Sequence, residues 1–299
     1  MAEKIIIGVD LGGTKIMTGA IDLKGSVLGS PVRKDTIGND EADAIIKRVT
    51  DSVEEVLKHM EMEIKDVAGI GIGSTGPLDI GKGLILECPQ LPRMHFYPLR
   101  KTIEDHFGVP VILNNDARCL VYGETMFGAG AGFSKVVGFT LGTGIGCAVI
   151  LDQRIFNGST WTAGEIWISP YGSGIIEDFV SGRGVSKIYR SLTGTDRTSL
   201  EVYDLALKGD RNALQTWDEF GRHLAVPIAW AINIIDPEIV VLGGSITAAY
   251  KFFSNSMELH LRKQICPVPA EKTKVIPGKL GDSAGFIGAA CLVLDILST

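Results

Sequence analysis

One local design occurs twice along this 299-residue chain. Lys4–Asp10 is a short β-branched run, followed by a glycine turn, Gly12-Gly13-Thr14, and a second strand-like run, Ile16–Asp22. Far downstream, Lys135–Leu141 is strand-like, Gly142-Thr143-Gly144 turns it, and Cys147–Leu151 runs back. Such runs bounded by glycine clusters read as paired strands joined by a tight turn. Two of them at equivalent points constrain the chain to a duplicated α/β architecture. The intervening sequence fits. Ala42, Ile45, Ile46, Val49, Val53, Val56, Leu57 and Met60 mark one face of a helix. Strands are expected near Val27, at Val67–Gly73 and at Val109–Leu113, with a helix at Leu99–Phe107 between the last two. In the second half, helical segments lead to Ile235, and the strand Ile239–Leu242 ends in Gly243-Gly244.

Composition narrows the function classes. A formal net charge of −6, without a long basic stretch, argues against nucleic acid as a partner. Cys88, Cys119, Cys147, Cys266 and Cys291 are scattered and form no C-x-x-C pair, which points to reduced thiols in a cytoplasmic protein. None of the five histidines sits in metal-ligand spacing, so no zinc is expected. The most apolar segments, Leu224–Ile235 and Gly285–Leu297, are too short to span a bilayer. A strand-like run within four residues of the start leaves no expected room for a signal peptide.

The chemistry is expected at strand ends. A turn of glycines and threonines exposes backbone N–H groups without Cβ obstruction and approaches phosphate oxygens closely. Gly12, Gly13 and Thr14, with Lys15 adding charge, and Gly142, Thr143 and Gly144 are therefore the candidate phosphate-binding residues. Asp10, closing its strand, is suited to hold the water shell of Mg²⁺. Asp116, in Asn114-Asn115-Asp116 before a helix, is placed either as a general base or as a helix N-cap; its position between the two turns favours the base. Glu165 and Glu177 are carboxylates of a kind that accept from adjacent hydroxyls of a polyol. Gly243-Gly244 either admits a flat adenine ring or simply turns the chain. Two other matches fail. Gly71-Ile72-Gly73-Ser74-Thr75-Gly76 has the dinucleotide glycine spacing, but Pro77 follows where a helix should begin. Gly76–Lys82 resembles a Walker A loop, but Gly83 replaces its magnesium-binding hydroxyl residue.

Together these motifs resemble the ROK family (repressors, open reading frames and sugar kinases) of the actin-like ATPase superfamily. The resemblance extends from VDLGGTK at residue 9 to DSAGFIGAA at residues 282–290. It implies an α/β fold of two actin-like (ribonuclease H-like) domains flanking an active-site cleft. The first would be residues 1–116 completed by the C-terminal helix 285–299, the second residues 117–284. It also implies an ATP- and Mg²⁺-dependent carbohydrate kinase, glucokinase-like and homodimeric. VDLGGTK and LGTGIG look like its two phosphate motifs, and DPEIVVLGGSI, with Gly243 and Gly244, like its adenosine-side segment. GIGSTGP, with Gly76, looks like its sugar-side loop; NNDA matches the segment with the catalytic Asp, here Asp116, and Asn115 on the sugar. AGE supplies Glu165, and Glu177 aligns with a further sugar-binding Glu. The chain departs from the family pattern where Trp167 and Ile168 replace Gly-His, where the zinc loop is missing, and where Arg118 stands beside the candidate base. Relatives without the zinc loop include polyphosphate-dependent glucokinases, so polyphosphate is an alternative donor. A non-catalytic sugar-binding or regulatory protein is the alternative function; a repressor would carry a DNA-binding module ahead of the first phosphate motif.

Overall fold

The computed structural model describes residues 4–297. The chain opens with β1 (Ile5–Leu11), β2 (Lys15–Ile21), β3 (Val27–Asp35), α1 (Ala42–His59) and β4 (Val67–Ser74). A small hairpin, β5 (Leu78–Asp79) and β6 (Leu84–Ile85), precedes α2 (Leu99–Phe107), β7 (Val111–Asn115) and α3 (Asp116–Phe127). Next come β8 (Lys135–Leu141), β9 (Ile145–Leu151), β10 (Arg154–Ile155) and a second small hairpin, β11 (Pro170–Tyr171) and β12 (Gly174–Ile175). Helices α4 (Gly182–Thr193), α5 (Ser199–Leu207) and α6 (Arg211–Ile235) lead to β13 (Ile239–Gly243) and α7 (Tyr250–Leu261). The chain closes with α8 (Pro267–Lys272), β14 (Lys274–Pro277) and α9 (Ala284–Leu297).

Two compact units result. The first takes the chain up to Gly132, residues 157–161 and the chain from Lys279 onward; the second takes Phe133–Phe156 and Thr162–Gly278. Helix α3, which follows the boundary expected after Asp116, packs along α9 within the first unit. The two five-stranded sheets have the same order, β3-β2-β1-β4-β7 in the first unit and β10-β9-β8-β13-β14 in the second. In each, a glycine-turned hairpin pairs antiparallel, and its first strand takes a parallel neighbour on the other side. The repeat read from the sequence is therefore a repeat of sheet topology.

In the first unit the alternation of β1 divides its residues between two surroundings. Ile5, Ile7, Val9 and Leu11 join the apolar core with Ile45, Val49 and Val53 of α1. Gly8 and Asp10 lie against α9 instead: a Cβ on Gly8 would stand 1.9 Å from the Phe286 carbonyl oxygen. Gly71 of β4 is as confined, its Cβ position lying 1.7 Å from the Ala289 carbonyl oxygen. Helix α9 meets α3 equally closely, with Gly288 opposite the Cys119 carbonyl oxygen at 1.6 Å from its Cβ position. Small residues on both partners let backbones approach until main chain touches main chain. In the second unit, Val137, Phe139 and Leu141 of β8 share a core with Val240 and Leu242 of β13 and with Trp217, Phe220 and Leu224 of α6.

Gly71→Val has no way to seat both strand and helix. Its unfolding free energy is expected to fall by about 3 kcal/mol or more, read as a lower urea midpoint at an unchanged slope.

Candidate functional site

Parallel register gathers the first unit's candidates on one sheet edge. Leu11 pairs with Ser74, and Ser74 pairs with Asn115. The segments that follow these residues, the Gly12–Thr14 turn, the loop with Gly76 and the start of α3, therefore leave the sheet side by side. Ligands of open α/β sheets favour this carboxyl edge. The turn is closed by Gly12 N donating to Lys15 O at 3.0 Å. Thr36 then pins it twice: its Oγ1 donates to Gly12 O at 2.7 Å and its N to Thr14 O at 3.0 Å. Arg48 Nη1 donates to Thr36 O at 2.9 Å and fixes the pin in turn. Thr14 itself is exposed at the turn's tip. Lys15 reaches Asp282, Nζ to Oδ1 2.9 Å, so its charge is held at the approach to α9.

Asp10 carries a strongly perturbed carboxyl at this edge. Burial pushes its pKa up to about 7, the negative charge of Asp116 adds to the shift, Lys15 opposes it and Asp282 adds a smaller push. Gly285, in the first turn of α9, lies so near that a Cβ there would be 2.5 Å from Asp10 Oδ2.

At the start of α3 the cap is Asn115, whose Oδ1 accepts from Arg118 N at 3.2 Å. Asp116 is thus the first helical residue and not the N-cap, the alternative its sequence position left open; its Oδ1 accepts from Ala117 N at 2.8 Å. Asn115 Nδ2 lies 3.5 Å from the Cβ position of Gly76, so these two sugar-side candidates are neighbours. Arg118 is almost fully buried and donates to Asn157 Oδ1 at 3.3 Å and to Trp161 O at 2.8 Å. Asn114 Nδ2 donates to the same Asn157 oxygen at 3.2 Å. These bonds explain why residues 157–161 belong to the first unit.

The second unit repeats the edge with different braces. Gly243 pairs with Thr140, so the ends of β13 and β8 lie together. Gly142 N donates to Gly144 O at 3.0 Å, and Gly182 N, opening α4, donates to Gly142 O at 2.8 Å. Gly244, at φ +88°, takes a left-handed turn with its Cβ position 2.4 Å from Leu141 O, and only glycine fits there. Glu177, the further sugar-side candidate, lies beside the turn. Its Oε2 accepts from Ile145 N at 3.3 Å and its Oε1 from Arg183 Nη2 at 2.6 Å. A Cβ on Gly144 would stand 2.3 Å from Glu177 Oε2. Glu165 is exposed, and its Oε2 accepts from Trp167 Nε1 at 2.9 Å. The hairpin β11–β12 stands where the resemblance expects a zinc loop. Tyr171 Oη and His223 Nδ1 share a 2.8 Å hydrogen bond, and Phe179 packs edge-on to Tyr171. Burial, the largest influence, lowers the His223 pKa.

Among the described residues, no three His, Cys, Asp or Glu side chains form a group able to hold a metal ion directly. The donor set of the first edge still fits a hydrated divalent cation. Asp10 and Asp116 are interacting carboxylates, the first of them held up by burial, and hard cations take oxygen ligands and keep several waters. The sequence alone carries no signal that marks Thr36, Asp282 or Trp161. Thr36 has no motif around it, Asp282 sits in DSAG just before α9, and Trp161 is ranked only by the buried Arg118 beneath it. Among the described residues, no helix is long and apolar enough to cross a membrane.

A model of the ROK family matches residues 6–296. A glucokinase of Thermotoga maritima is 30% identical over 319 residues, covering 99% of both chains. A xylose repressor of Caldicellulosiruptor bescii is 26% identical over 98% of this chain and 79% of its own. The crystal structure of a ROK family glucokinase from Streptomyces griseus, in complex with glucose and AMPPNP, superposes with a TM-score of 0.83 at 25% identity. It covers 96% of this chain and 98% of that one. The two mixed sheets accordingly have the α/β fold of two actin-like domains.

The raised Asp10 carboxyl has a consequence for stability. An acid whose folded pKa lies above its unfolded value stabilises the fold while protonated, and that contribution is lost as pH rises through the folded value, here about 7. Asp10→Asn should therefore gain stability over the parent between about pH 4 and about pH 8 in magnesium-free buffer. Paired denaturant titrations across that range measure the difference; parallel curves at every pH would contradict it.

Proposed function

Because the chain belongs to the ROK family, we propose that it is a carbohydrate kinase transferring the γ-phosphoryl group of ATP to a hydroxyl of a hexose or related sugar. One observation carries the reading: the register that sets Leu11, Ser74 and Asn115 abreast, so that a glycine turn, a sugar-side loop and Asp116 share one edge. The Thermotoga maritima glucokinase and the glucose- and AMPPNP-bound Streptomyces griseus enzyme support it, AMPPNP being an analogue of ATP.

Asp116 is the general base. As the sugar oxygen attacks the γ-phosphorus, the hydroxyl proton passes to the Asp116 carboxylate. The bond from phosphorus to the β,γ-bridging oxygen breaks, and ADP leaves with the electron pair. Asn115 Nδ2 and the backbone at Gly76 orient the acceptor from the same edge. The turns Gly12–Thr14 and Gly142–Gly144 offer to phosphate oxygens the backbone N–H groups that do not close them, those after Gly12 and Gly142, where charge develops in the transition state. Thr36 and Glu177 also keep these turns in shape. Gly243 and Gly244 take the adenosine side. Asp10 would hold Mg²⁺ through its water shell, and the ion would supply charge neutralisation at the phosphates.

A second reading, sugar binding without transfer, is favoured by the engagement of both second-unit carboxylates, Glu165 by Trp167 and Glu177 by Arg183. A coupled ADP-release assay with hexoses, amino sugars and N-acetyl sugars separates the two, with polyphosphate replacing ATP in a parallel series. Turnover with one acceptor, falling by about 10² to 10⁴-fold in Asp116→Asn at little change in sugar affinity, is the expected result. Sugar binding with no turnover from either donor would leave the binding reading standing. Unaltered turnover in Asp116→Asn would remove Asp116 as the base.

A further inference from the structure

Trp161 is held in a conformation that its residue type disfavours. Its φ is +62°, in the left-handed region that bulky side chains rarely adopt. The restraint comes from below. Arg118, 1% exposed, donates Nη2–H to the Trp161 carbonyl at 2.8 Å, and its Nη1 shares the Asn157 side-chain oxygen with Asn114. Both ends of the 157–161 segment are thereby fixed to the end of β7 and the first turn of α3. The outcome is a tryptophan left 39% exposed. Its Nε1 stands 3.9 Å from the Cβ position of Gly81, in the turn that joins β5 to β6.

Stability alone does not account for this arrangement. A buried guanidinium and a left-handed tryptophan are both unfavourable features, and strained backbone persists where the surroundings over-determine it. The clamp shares its helical turn with Asn115 and Asp116, the acceptor-side residues of the first unit. A pyranose ring is amphipathic: hydroxyls project from its rim, while C–H groups cover its faces. The negative face of an aromatic ring suits those C–H groups, and binding sites combine such apolar walls with a few placed polar groups.

We propose that Trp161 is an acceptor-binding residue whose indole stacks on a C–H face of a pyranose, and that Arg118 is the positioning residue that presents it. The inference rests on the sugar-kinase reading. The ring reads the flatness of a pyranose face, whereas Asn115 and Asp116 read its hydroxyls. Acceptors with an axial hydroxyl on the stacked face are discriminated against.

The test uses the full chain with D-glucose, N-acetyl-D-glucosamine and D-mannose as probes, binding by calorimetry and turnover by ADP release. Trp161→Asn removes the ring and installs a residue that tolerates the left-handed region. It should weaken the Kd for the bound probe by about tenfold, and the loss should fall on KM. Trp161→Phe should restore most of the affinity. The sugar-induced change in tryptophan emission of the parent should vanish in Trp161→Phe. Arg118→Met should behave like Trp161→Asn if it folds, and the Trp161 pair decides the matter if it does not. An unchanged Kd and KM in Trp161→Asn overturns the inference and leaves the kinase reading intact. Sugar binding without turnover retires the kinase reading, while the Kd series still judges Trp161. Failure of the parent to bind any probe overturns the inference.

Discussion

The first unit depends on main chain packed against main chain. Helix α9 lies so close to β1 and β4 that Gly8 and Gly71 have no room for a methyl group, and Gly288 meets α3 in the same way. The consequence reaches the chemistry, because Asp10 follows Gly8 on the same side of β1 and meets Gly285 at the head of the helix. Close packing there withdraws water from the carboxylate and pushes its pKa upward. The contact that closes the core also sets the electrostatics of the sheet edge.

The two units share a topology and differ in how each glycine turn is braced. In the first, a buried neutral hydroxyl, Thr36, holds the turn, backed by an arginine. In the second, a carboxylate, Glu177, does so and is itself tied to Arg183. A hydroxyl leaves the neighbouring potential unchanged, whereas a carboxylate beside a glycine turn lowers it unless a cation compensates. Arg183 is the compensating cation for Glu177.

The parts of this structure readable from sequence are the periodic ones. α1 follows its apolar spacing from Ala42 to His59, α2 occupies Leu99–Phe107 as its pattern indicates, and β8 runs from Lys135 to Leu141. Both glycine turns lie at strand ends, where a β-branched run meets residues without side chains. What sequence did not carry is pairing across distance. That Asn115 caps α3 and leaves Asp116 inside it depends on one hydrogen bond, for which either residue type is suited. That Glu177 faces Ile145, and Lys15 faces Asp282, follows from tertiary placement, since a charged residue announces its charge but not its partner. Helix α3 follows the last strand of the first sheet, and its sequence does not say which unit it packs in. It belongs to the first because its glycine and cysteine backbone receives α9.

The order in which the elements leave the ribosome gives the α9 contact a further meaning. β1 and β4 are synthesised early, yet the helix that covers their glycine face begins only at Ala284, after every strand of the second sheet has been made. Contacts of such long sequence separation form late, after the loop between them has been closed. The second unit, complete by Gly278, has all its own strands before the first sheet gains its cover. Until α9 docks, Asp10 lacks the helix that packs against it through Gly285. A partly made chain therefore has no assembled first edge until the closing helix has been synthesised.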